Sequence, residues 1–93
     1  MTYTNASAKA NATYFNYARE LNQRVRNTLS YNGMTVYRDS NTISFDVKEY
    51  IRWNNTDHKV ACLLSDLRKS VDAQTQQRVI NAFPYAVALI VTV

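Results

Sequence analysis

Apolar residues recur at helical spacing through the first third of the chain. Tyr14, Ala18, Leu21, Val25 and Leu29 fall on one face, with Ala10 and Tyr17 beside them. This spacing predicts one long amphipathic helix from Asn5 to Tyr31. Asn32-Gly33 supplies its stop, since a left-handed C-terminal cap favours a residue without Cβ and the chain has one glycine. The period then drops to two. Met34-Thr-Val-Tyr37 and Ile43-Ser-Phe-Asp-Val47 alternate, and Asp39-Ser-Asn-Thr42 between them has the composition of a turn. A β-hairpin is expected, with Met34, Val36, Ile43, Phe45 and Val47 on its buried face.

Helical spacing returns at Asp46-Val-Lys-Glu49, which has the form of a capping box with Asp in place of Ser or Thr. It opens a short helix carrying Val47, Tyr50 and Ile51 inward. Asn54-Asn-Thr-Asp57 interrupts that helix and caps a second, whose stripe is Val60, Leu63, Leu64, Leu67 and Val71. Beyond Val71 the phase breaks. A bend at Ser70–Asp72 gives Ala73, Val79, Ile80 and Phe83 an inward face of their own, and Pro84 ends that helix because the residue before a proline disfavours helical ψ. Tyr85 to Val93 is apolar on both faces and β-branched toward its end, the pattern of a covered central strand.

The fold class expected from these elements is α+β. A three-stranded mixed sheet, hairpin plus C-terminal strand, packs with the long N-terminal helix and two or three further helices in the order α-β-β-α-α(-α)-β. That order resembles one variety of KH domain, which implies nucleic-acid binding. The KH clamp is a Gly-x-x-Gly loop, and the matching loop here, Asn54-Asn-Thr-Asp57, lacks both glycines and carries an acid. The resemblance is one of topology alone.

Composition narrows the class. Ninety-three residues, 46% hydrophobic and 19% charged, suit one domain spanning 1–93 and exclude a disordered chain. A lone cysteine, Cys62, excludes an intrachain disulfide. The polar start and the short apolar run Tyr85–Val91 give no signal-peptide or spanning pattern, so a cytoplasmic location is expected. The net charge of +4 is unevenly placed. Residues 1–38 hold five cations against Glu20, whereas residues 39–93 balance six against six. A positive first third favours an acidic partner or nucleic acid.

Candidate chemistry is sparse. His58, Cys62 and Asp66 share a helix face at i, i+4, i+8, but that spacing spans about 12 Å of helix, too far for convergent metal ligands. A polar face accounts for them, and no metal, cofactor or catalytic residue is expected. With one glycine there is no phosphate-cradling loop. The patch that stands out is Phe15, Arg19, Asn22 and Arg26, a stripe at i, i+4, i+7, i+11 extended by Ala8 and Ala12. An aromatic bordered by arginines and an amide suits an interface. Arg52 and Trp53 form a second, smaller candidate. The function expected is a non-enzymatic adaptor or inhibitor, a monomer or homodimer, that occludes a site on another protein with an acidic surface. The alternative is a nucleic-acid-binding module using the basic first helix.

Overall fold

In the computed structural model, which describes residues 5–40 and 42–93, the spine is helix α1, Asn5–Asn32. At 1.5 Å per residue it is about 42 Å long. Tyr14, Ala18, Leu21, Val25 and Leu29 are buried along one side of it, as their spacing requires. The helix ends on Gly33 at φ 65°, where the Gly33 N–H donates to Ser30 O (3.2 Å) and the Met34 N–H to Leu29 O (3.0 Å). This pair of bonds satisfies carbonyls that the last turn leaves open.

Strands β1 (Tyr37–Asp39) and β2 (Thr42–Ser44) pair antiparallel, with Arg38 opposite Ile43. The hairpin is shorter than the alternation suggests, for reasons visible at both ends. Met34 is drawn into the cap of α1, and Val47 becomes the first residue of helix α2, Val47–Trp53. Asp46 caps that helix by accepting the Glu49 N–H at 3.0 Å, which withdraws Val47 from the strand. Ile43 and Phe45 are buried as expected, and Met34, Val36 and Val47 pack half-buried against them. In the turn, Ser40 takes a left-handed φ of 59°; Asn41 lies outside the described residues.

Helix α3, Asn55–Leu67, is followed by a 3₁₀ turn, Arg68–Ser70, and then by α4, Ala73–Ala82. The bend expected at 70–72 is there. Gln76 stabilises it by donating to both Arg68 O (3.1 Å) and Val71 O (2.8 Å).

The C-terminal segment corrects the sequence-based expectation. Pro84–Ile90 is a helix, α5, not a strand. Its buried residues are Tyr85, Ala86, Leu89 and Ile90, the i, i+1, i+4, i+5 set of one helix face. Pro84 ends α4 and also opens α5, since proline suits the first helical position, where no N–H is needed. A short apolar run reads alike as strand or buried helix, so periodicity alone does not separate them. The sheet therefore has two strands, and the fold is α-rich with a small hairpin rather than a three-stranded α+β sheet. With the last strand gone, so is the KH-like order. Helix α5 is central: it packs most extensively on α1 and also meets α3, α4 and β2.

Candidate functional site

The predicted stripe on α1 divides into two kinds of residue. Phe15 is half-buried, its ring 5.1 Å from that of Phe83 in an edge-to-face pair, with the Arg78 guanidinium 4.8 Å above it. Such aromatic and cation–π contacts belong to packing. Asn22 is also engaged internally. Its side-chain oxygen accepts the N–H groups of Tyr85 (2.8 Å) and Ala86 (3.1 Å), capping α5 from a different helix. Phe83, the residue at the N-cap position itself, offers no side-chain acceptor. Asn11 performs a similar task for α4, donating to Asp72 Oδ2 at 2.7 Å and accepting the Asp72 N–H at 3.0 Å. The stripe is thus where the α4–α5 corner docks. Arg19 and Arg26 are exposed beside it.

Two further arginines border the same corner. Arg78 lies over Phe15, and Arg38 donates to the Tyr85 hydroxyl at 3.0 Å. Among the described residues, the ion pair within 4 Å joins Arg24 to Asp57, so Arg19, Arg26, Arg38 and Arg78 have no carboxylate at that distance. Between α1 and α4 lies an open cleft of about 470 Å³, floored by Ala8, Ala12 and Phe15 and walled by Asn11, Thr75 and Arg78. Asp72 at its edge is held below the usual carboxylate range, first by hydrogen bonds from Thr75, then by the Asn11 amide and the Arg78 charge.

The opposite flank of α1 holds what the sequence did not reveal. Asp57, expected as a helix-start acid, is 5% exposed. Its carboxylate accepts the Tyr50 hydroxyl at 2.5 Å and the Arg24 Nε at 2.9 Å, with Arg24 Nη2 on the same oxygen. Burial, then the hydrogen bond to Asp57, pushes the Tyr50 hydroxyl well above its ordinary pKa. Three helices are tied together here, by a buried Tyr50 and Asp57 beneath a half-exposed Arg24. Arg24 at i+7 from Tyr17 and Asp57 seven residues before Leu64 were the available signal, but helix-start acids are common enough to hide it.

Next to that network, α1 and α3 enclose an apolar groove of about 360 Å³, lined by Thr13, Tyr17, Val60, Leu63, Leu64 and Leu67. Leu63 and Tyr17, both expected to face inward, are 68% and 52% exposed. The stripe of α3 is wider than its contact with α1, so its outer edge is left open. On the polar face of the same helix, His58 is half-buried and Cys62 and Asp66 are exposed. Among the described residues, no three His, Cys, Asp or Glu side chains gather to hold a metal ion. Arg52 and Trp53 close α2, with Trp53 49% exposed. No helix among the described residues is long and apolar enough to cross a membrane. Compared with known families, curated proteins and solved structures, this chain has no match.

Proposed function

We propose that this chain is a non-enzymatic protein-binding adaptor or inhibitor that covers an acidic surface of its partner with the arginine face of α1 and the α4–α5 corner. The observation that carries this reading is the set of exposed arginines, 19, 26, 38 and 78, grouped on one flank with no carboxylate of the described residues within 4 Å. Guanidinium groups present planar donor forks to carboxylates, and two of these four are already oriented by internal contacts. Pre-oriented side chains lose less freedom on binding. Phe15 and Asn22 serve this face indirectly by fixing the corner, and Trp53 with Arg52 is a separate exposed anchor at the end of α2.

The test compares capture from native host lysate by the wild type and by Arg19→Glu with Arg26→Glu, each with and without nuclease. Loss of a nuclease-resistant protein partner, at an unchanged melting temperature, is expected, because exposed charges contribute little to stability. Capture that survives the double reversal would overturn the assignment of this face. Capture that disappears with nuclease, with affinity falling at roughly −0.9 in log K per phosphate contact against log salt, would replace a protein partner with nucleic acid.

A further inference from the structure

We infer that the α1–α3 groove seats a second copy of this chain, paired about a two-fold axis running along the groove. Leu63 and Tyr17 leave the apolar side of this groove open to solvent, and a second chain laid over it would bury both side chains. What identifies the occupant is charge. The chain as a whole carries +4, yet the exposed charged residues three or four positions from Thr13, Tyr17 and Leu63 are Lys9, Glu20, Lys59 and Asp66, which sum to zero. Two copies meeting here do not repel one another, whereas two arginine faces do.

The arrangement of these charges favours a two-fold. Helices α1 and α3 run antiparallel, since Arg24 meets Asp57 at one end while Thr13 and Tyr17 share the groove with Leu64 and Leu67. From the Arg24–Asp57 contact, Glu20 lies four residues back along α1 and Lys59 two residues on along α3. At 1.5 Å per residue the two stand within about 3 Å of the same level. They occupy opposite rims, and no ion pair within 4 Å joins them inside one chain. A two-fold along the groove lays α1 of one copy over α3 of the other at the same level. Each Glu20 then faces the Lys59 of its mate, twice over, while Leu63 and Tyr17 fill the shared groove. This is the self-complementarity that an isologous interface demands. The surface lies on the other flank of α1 from the arginines, so the two proposals can fail separately.

Sedimentation of the full chain tests it. The wild type is expected to sediment as a concentration-dependent dimer of 10.7 kDa chains. Leu63→Glu is expected to weaken self-association at least about tenfold with the fold intact by circular dichroism, since the side chain is exposed. Glu20→Lys should weaken it severalfold, and Glu20→Lys with Lys59→Glu should restore it. A wild type that remains monomeric overturns the inference, as does a dimer indifferent to Leu63→Glu. A double reversal that fails to rescue overturns the two-fold arrangement.

Discussion

Helix α1 is gripped on two flanks by different chemistry. On the side of α4 and α5 the polar contacts are amides, with Asn11 clasping Asp72 and Asn22 capping α5. On the side of α2 and α3 they converge on a buried carboxylate shared by Arg24 and Tyr50. A neutral amide at a helix N-terminus satisfies open N–H groups at small desolvation cost, and losing it returns those groups to partial solvation. A buried carboxylate is a different matter. Once one donor is removed, the remaining charge has neither water nor a full set of partners. The two flanks should therefore differ in brittleness: the amide side yields in small steps, and the carboxylate side fails abruptly.

The largest effect should come from stripping the buried carboxylate of its cation. Arg24→Met leaves the buried Asp57 charge without its cation and is expected to lower stability by about 3 kcal/mol. Asp57→Ala leaves the Tyr50 hydroxyl without its acceptor, but the freed Arg24 is 47% exposed and rehydrates, so this variant should cost clearly less. Urea unfolding of both variants decides this. A loss of about 1 kcal/mol or less for Arg24→Met would show that the network is no more brittle than a surface ion pair.

On the amide side, Asn22→Ala removes one acceptor from two N–H groups of α5 and is expected to cost about 1–2 kcal/mol. Asn22→Asp keeps the acceptor and adds a negative charge near the helix N-terminus, so it should retain most or all of the stability. That contrast is specific to a helix. If Asn22→Asp is as damaging as Asn22→Ala, the capping of α5 is not what Asn22 provides.

How much of this was legible follows from where each signal is located. The face of α1, its stop at Gly33, the cap at Asp46 and the bend before α4 are all set within a few residues, and the sequence shows them. The state of 84–90 is not set locally. Its N-terminal N–H groups are capped from Asn22, more than sixty positions away, so no window around Pro84 contains the acceptor that marks a helix start. The hairpin lost its ends for a related reason, since Met34 and Val47 were each claimed by a neighbouring helix cap. At the candidate site, Arg19, Arg26 and Arg38 were legible as charge, whereas Arg78 was hidden in a segment whose charges balance. The engagement of Phe15 and Asn22 was not legible, because it depends on a corner formed by Phe83 to Ala86. Asp57 was misplaced because a helix-start acid looks the same in sequence whether water or Tyr50 and Arg24 surround it.

The smallest effect, and the one that sharpens the contrast most, concerns pH. Asp72 is exposed, and its carboxylate is held below the ordinary range chiefly by the Thr75 hydrogen bonds, with Asn11 and Arg78 adding to them. A carboxylate whose pKa is lower folded than unfolded contributes stability that is complete above the unfolded value and is lost as pH falls through the folded one. Stability should therefore decline in acid partly through Asp72. Asp72→Asn retains a good N-cap acceptor for the Thr75 N–H but cannot titrate. Its melting temperature near neutrality should stay close to that of the wild type, while the decline below the ordinary carboxylate range becomes shallower. Asn11→Ala should act in the same direction by a smaller amount, since it removes one of the donors that hold Asp72 ionised. Thermal melts of the three proteins between neutral pH and pH 3 measure these slopes. An Asp72→Asn variant with the wild-type acid slope would mean that this carboxylate titrates alike in the folded and unfolded chains, and that the amide flank carries no acid sensitivity of its own.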